Sequence, residues 1–303
     1  MKKNLLSILD LSSEEIYSLL DRASVLKQLQ KDGVPHHPLS GKTLGLLFEK
    51  SSTRTRVSFE VGAYQLGGNT IFLSPRDTQF GRGEPIPDSA RVLSNYLDGI
   101  VVRTFSQEIL EEFSQYSSIP VINGLSDLLH PCQVLTDLFT IMEKKGRVEG
   151  LKVAWIGDGN NMANSWIIAA SRLGFELVLA TPPTHRPNDS IMSMSIKEND
   201  MRIRVVDDPE EAVKDADVIN TDVWTSMGQE DEEASRKRIF SKYQVNSDLL
   251  ALAKSDAIVM HCLPAHRGEE ITNDVMEGPN SVIFAQAENR LHLQKAILEK
   301  LMG

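Results

Sequence analysis

The residues Ser51-Ser52-Thr53-Arg54-Thr55-Arg56 stand between two segments of different periodicity. Ahead of them, Thr43-Leu44-Gly45-Leu46-Leu47-Phe48 has the pattern of a short buried strand. Behind them, Val57, Val61 and Tyr64 recur at i, i+4 and i+7 as a helical stripe, and Gly67-Gly68 supplies a stop. A strand that hands over to a helix here surrounds the hydroxyls with helix N-terminal N–H groups and the positive end of the helix dipole. Arg54 can grip an oxyanion with two parallel hydrogen bonds. The chemistry expected is phosphate binding without a glycine-rich loop or a lysine. An ordinary Ser/Thr helix cap with two solvated arginines is the other reading of these residues taken alone.

Further groups fall at comparable places. Arg103 follows an apolar run, His130 precedes Pro131 at a predicted helix start, and Asp222 follows the run at 218–220. Cys262 follows Ala257-Ile258-Val259-Met260. Singly, these read as a surface charge, a structural histidine, a turn cap and a small buried hydrophobe. Together they gather at strand C-termini and helix N-termini, where open α/β sheets bind ligands. The turn Trp155-Ile156-Gly157-Asp158-Gly159-Asn160-Asn161-Met162 carries Gly-x-Gly, but Met162 occupies the third small position. The next strand ends Leu179-Ala180-Thr181-Pro182 with no acidic residue. A nicotinamide fingerprint therefore fails on both counts, and the turn is left pointing Asn161 toward a ligand.

The elements that must position these groups alternate. Residues 12–31 predict a helix with Ser12 or Ser13 as cap, and strands are expected at 43–48, 69–74, 100–103 and 121–123. Helices fall at 88–97, about 106–116 and 131–145, and residues 75–87 read as a long irregular loop. A second series follows Lys144-Lys145-Gly146-Arg147, with strands at 152–156, 177–180, 203–206, 218–220 and 257–260. Residues 224–246 read as polar and aperiodic, and 285–301 as a final helix. The fold class is α/β, with two domains, each a parallel sheet flanked by helices. The expected division is 1–145, completed by the C-terminal helix 285–303 packing back on it, and 146–284.

At 303 residues the chain has length for two domains of about 150 residues each. A net charge of -10 argues against nucleic acid as a partner. No apolar run approaches the roughly 18 residues of a membrane span, and Asp10, Glu14 and Glu15 interrupt the basic start, so no signal peptide is expected. The two cysteines, Cys132 and Cys262, make neither a disulfide framework nor a zinc-type pair, which suits a reducing cytoplasm.

Phe48-Glu49-Lys50-Ser51-Ser52-Thr53-Arg54-Thr55-Arg56 resembles the carbamoyl-phosphate motif of the transcarbamylase family (aspartate and ornithine carbamoyltransferases), and His130-Pro131-Cys132-Gln133 resembles its second shared motif. Asp222-Val223-Trp224-Thr225-Ser226-Met227-Gly228 and His261-Cys262-Leu263-Pro264-Ala265 are similar to the ornithine branch. The likeness runs through the whole chain in the family's motif order.

This resemblance implies transfer of the carbamoyl group of carbamoyl phosphate to the δ-amine of L-ornithine, giving L-citrulline and phosphate. Another amine, such as putrescine or an N-acylated ornithine, is the alternative. It implies catalytic roles for Arg54, Arg103, His130 and Cys262. Carbamoyl phosphate would be bound by Ser52, Thr53, Arg54, Thr55, Gln79, Arg103, His130, Pro131, Cys132, Gln133, Cys262, Leu263 and Arg290, with Gln133 on the carbamoyl amide. Ornithine would be bound by Asn161, Asp222, Ser226 and Met227, under a loop at 224–246 that closes over it. Gln79 would come from a neighbouring subunit, which implies a homotrimer with active sites at subunit interfaces, open to further assembly. No cofactor or metal is implied.

Overall fold

Strands that alternate with helices cannot pair as hairpins, so each neighbouring strand is reached by a crossover and the sheets become parallel. The computed structural model, which describes residues 4–74, 83–198, 202–226 and 230–303, follows this rule in two compact units. The first comprises Met1–Phe139 and Asn289–Gly303, the second Thr140–Glu288. Both divisions fall inside helices. Among the described residues, no helix is long and apolar enough to cross a membrane.

The first unit holds β1 (Thr43–Phe48), β2 (Asn69–Leu73), β3 (Gly99–Arg103) and β4 (Val121–Leu125), all parallel, in the order β2-β1-β3-β4. Its helices are α1 (Ser13–Lys31), α2 (Thr53–Gln65), α3 (Ile86–Ser94), α4 (Gln107–Tyr116) and the larger part of α5 (Pro131–Lys145). Ser12 and Glu15 close a capping box on α1. The C-terminal helix (Ile283–Met302) contributes its last residues to this unit. There Leu293, Ala296, Ile297 and Leu298 are buried, and Glu299 takes two 2.8 Å bonds from Arg22. Lys27 reaches Asn289 at 2.7 Å, and Lys295 reaches Gln30 and Gln65 at 2.7 and 3.0 Å.

The second unit holds β5 (Lys152–Ile156), β6 (Glu176–Ala180), β7 (Ile203–Val206), β8 (Val218–Thr221) and β9 (Ile258–His261), again parallel, in the order β7-β6-β5-β8-β9. Helices α6 (Asn161–Leu173), α7 (Asp189–Glu198), α8 (Pro209–Val213), α9 (Glu233–Phe240), α10 (Ser247–Leu250) and α11 (Asn273–Met276) accompany it. Val178, Ile219, Phe240, Tyr243 and Val259 form part of one buried cluster with the sheet.

Three sequence expectations need correction. The stripe of α2 faces outward: Val57 is 48% exposed and Tyr64 78%, whereas Phe59, Gly62 and Ala63 face the core. The helix packs through Phe59 and two small residues, while Val57, Val61 and Tyr64 point away from the core. The stretch 224–246 is not aperiodic throughout, because α9 forms within it around buried Arg236 and Phe240, spaced i, i+4. Finally, Pro85 and Pro87 open α3 instead of prolonging a loop, since proline at the first helical positions lacks only an N–H the helix does not use. The rest of that loop, with Gln79, lies outside the described residues.

Candidate active site

Each sheet reverses its winding once, and the candidate residues collect at those two places. In the first sheet the reversal lies between β1 and β3, the usual place for a ligand in an open parallel sheet. Phe48 pairs with Arg103 in register, so the turn leaving β1 runs beside the end of β3. Ser52 caps α2, its hydroxyl accepting from the Thr55 N–H at 3.2 Å. Thr53 and Arg54 are exposed at the first helical positions. Arg56 is engaged elsewhere: its guanidinium lies 3.7 Å from the Phe72 ring centre and pairs with Glu60 at 2.9 Å. Arg54 is exposed at the mouth of the helix, beside the first helical N–H groups.

Behind this mouth lies a buried polar chain. Arg290 donates to the Thr55 hydroxyl at 2.9 Å and to the Gln133 side-chain oxygen, and Gln133 in turn donates to Asp137 at 2.8 Å. Pro131 starts α5 and His130 precedes it, buried as Arg103 is. Burial, then the charges of Arg290 and Arg103, hold the His130 imidazole well below its ordinary range. It is therefore neutral, and its remaining N–H is a donor for a neutral or anionic oxygen. Cys132, fully buried, donates to the Asn123 carbonyl at 3.3 Å, and burial pushes its thiol up to about 12. That group is no nucleophile.

In the second sheet the reversal lies between β5 and β8. Ile156 pairs with Thr221, and Thr221 with His261, so the turn after β5, Asp222 and Cys262 all leave the sheet at one end. The Asp222 carboxylate accepts three hydrogen bonds: from the Cys262 thiol at 2.8 Å, the Asn160 amide at 3.0 Å and the Val223 N–H at 2.8 Å. Asn160 also caps α6 through its side-chain oxygen. Asn161, singled out from sequence, is the first residue of that helix, and Ser226 is half-buried beyond Asp222; Met227 lies outside the described residues.

The backbone after Cys262 is held by a buried pair. Leu263 has φ 61°, a left-handed conformation unusual for a branched side chain, and precedes a cis proline, Pro264. Its N–H donates to His261 Nδ1 at 2.8 Å, which leaves the proton on Nε2, facing Glu270 at 2.9 Å. Nearby, Arg236 joins Asp158 to the Trp224 carbonyl. Burial raises Asp158 to about 6 despite that arginine, and Asp222 adds to the rise.

Sequence reasoning missed Asn160, the His261–Glu270 pair, Arg236 and Asp137. Asn160 had a signal, since an Asn directly after Gly-x-Gly is a strong N-cap candidate. Glu270 and Asp137 had none, because a carboxylate in sequence reads as solvated unless its burial is known.

An anion cradle in one unit and a carboxylate–thiol pair in the other define an α/β protein with groups suited to small charged ligands at the C-terminal ends of parallel strands. Comparison with known proteins narrows that class. Residues 3–143 match the model of the aspartate/ornithine carbamoyltransferase carbamoyl-P binding domain, and residues 149–301 that of the Asp/Orn binding domain. The chain belongs to the aspartate/ornithine carbamoyltransferase family. It is 60% identical over 302 residues to the ornithine carbamoyltransferase of Syntrophus aciditrophicus, covering 100% of both chains. The solved ornithine carbamoyltransferase from Pyrococcus furiosus superimposes with a TM-score of 0.96 at 51% identity, over 100% of this chain and 97% of that one. The ornithine transcarbamoylase of Giardia lamblia, at 30% identity, reaches 0.90 over 100% of this chain and 98% of its own.

Proposed function

We propose that the chain transfers the carbamoyl group of carbamoyl phosphate to the δ-amine of L-ornithine, giving L-citrulline and phosphate. The observation that carries this reading is its full-length likeness to proteins named ornithine carbamoyltransferase, which spans both half-sites. The chemistry needs three things, and residues suited to each are present.

The phosphate must be held while its charge grows on departure. The opening of α2 offers N–H groups, a dipole end and the Arg54 guanidinium for that purpose. The carbonyl must be polarised. Because Thr55 accepts from Arg290, its own hydroxyl proton is available to the carbonyl oxygen, beside Arg103 and the neutral His130 N–H. The amine must be uncharged and aimed. With the Cys262 proton directed at Asp222, the sulfur lone pairs can accept an amine N–H, while the carboxylate attracts the α-ammonium. The amine nitrogen then bonds to the carbamoyl carbon, a tetrahedral intermediate forms, and the carbon–oxygen bond to phosphate breaks as the nitrogen's proton passes to the departing phosphate.

Incubating the protein with carbamoyl phosphate and L-ornithine should produce citrulline and phosphate in equal amounts. No citrulline from folded protein overturns the reading. Product from putrescine or an acylated ornithine, and none from ornithine, selects the alternative amine. We also propose a homotrimer in the cytoplasm. The outward apolar face of α2, with Val57, Val61 and Tyr64, supports an oligomer, and two thiols without a disulfide fit a reducing compartment. Light scattering should return the mass of three 33.7 kDa chains.

A further inference from the structure

Asp137 follows Gln133 by one turn of α5, and both side chains are buried, at 0% and 1% exposure. A primary amide has two ends of opposite polarity, and nothing intrinsic to the side chain decides which one meets a ligand. Here its surroundings decide. The Gln133 nitrogen donates to the Asp137 carboxylate at 2.8 Å, and the Gln133 oxygen accepts from Arg290. A carboxylate accepts and a guanidinium donates, so the reversed amide would oppose oxygen to oxygen and N–H to N–H.

We propose that Asp137 is a positioning residue that keeps the Gln133 amide oxygen, not its nitrogen, on the ligand side. Gln133 thereby becomes an acceptor for the N–H of a carbamoyl group, and the site prefers carbamoyl phosphate to acyl phosphates of the same shape. The inference rests on the carbamoyl-phosphate reading above. It gives a role to a carboxylate buried one helical turn beyond the Gln133 amide. Acetyl phosphate is the natural probe, because it keeps the phosphate and carbonyl but carries a methyl where carbamoyl phosphate carries NH2.

Equilibrium binding of both anions to the full chain, by calorimetry, tests this without turnover. Asp137→Leu should weaken carbamoyl phosphate on the order of tenfold, the scale of one hydrogen bond, and move acetyl phosphate by less than about twofold. Asp137→Asn, whose oxygen can still take the Gln133 N–H, should restore carbamoyl-phosphate binding. Equal weakening of both anions would mean a merely structural role and overturns the proposal, as does no change in either. Should Asp137→Leu fail to fold, the exchanged pair decides. Gln133→Glu alone opposes two carboxylates and should lose affinity, and adding Asp137→Asn should recover it. No recovery overturns the proposal. A wild-type chain that binds neither anion overturns the functional reading with it, whereas a normal wild type with unsplit variants overturns this inference alone.

Discussion

His130 and Cys132 lie two residues apart, and burial moves their titrations in opposite directions. The imidazole is driven down and the thiol up, so both stay neutral at neutral pH. For His130 the consequence extends to stability. Below pH 6.5 the unfolded chain binds a proton that the folded histidine refuses, so stability falls with pH in that range. His130→Leu should flatten that slope in melting curves between pH 7 and 5. It should also lower kcat on the order of 10²-fold, as loss of one donor to a developing oxyanion does. Arg54→Met should keep the fold and lose about 10²-fold in kcat/KM, with carbamoyl-phosphate saturation the measurement. A near-normal value would reduce the Ser51–Arg56 stretch to a helix cap. Arg54 was legible in the sequence because its type and its place at a helix mouth suffice. The bond from Arg290 to Thr55 was not, since it spans 235 residues and only the fold brings them together; Arg290 entered through family likeness alone. Asn160 shows the limit of such reading, because its bond to Asp222 spans 62 residues and only the fold brings the two together.

Periodicity located the parallel strands well because strands buried on both faces are almost continuously apolar, as Gly99–Arg103 and Val218–Thr221 are. The same criterion failed for α2, where the apolar stripe faces outward and would serve the proposed oligomer. Tyr64→Asp should therefore leave the monomer folded and lower the solution mass, checked by light scattering with circular dichroism as control. Turn geometry was legible only in part. The Gly-x-Gly after β5 was rejected as a dinucleotide site, but its second glycine has a different purpose. A Cβ on Gly159 would lie 2.3 Å from the Arg186 carbonyl carbon and from the Pro187 nitrogen. Both are backbone atoms, so nothing can rotate away. Gly159→Ala should destabilise the second unit by roughly 1–3 kcal/mol, seen in denaturant melts, and displace Asn160 from Asp222, seen as weakened ornithine binding.

At the scale of the molecule, the return of the C-terminal helix to the first unit introduces a buried cation, Lys295, which donates to the neutral amides of Gln30 and Gln65. Burial pushes Lys295 down to about 8 from a lysine's ordinary 10.5. Between those values the unfolded chain holds the additional proton, so this group makes the fold gain stability as pH rises through the window. Lys295→Met should remove that gain, read as the difference in melting temperature between pH 8 and pH 9.5. The helix itself was legible as a final helix over 285–301. That it begins in one unit and ends in the other was not, because contacts, not composition, draw that line.

The same helix sets an order of events during synthesis. The second unit, Thr140–Glu288, is complete in the emerging chain before any of Asn289–Gly303 leaves the ribosome. The first unit was begun earlier but needs those final residues, among them Arg290, the partner of both Thr55 and Gln133. Domains ordinarily fold in the order they are made. Here the half that starts first must finish last, and a nascent chain has no complete anion cradle until Arg290 has emerged.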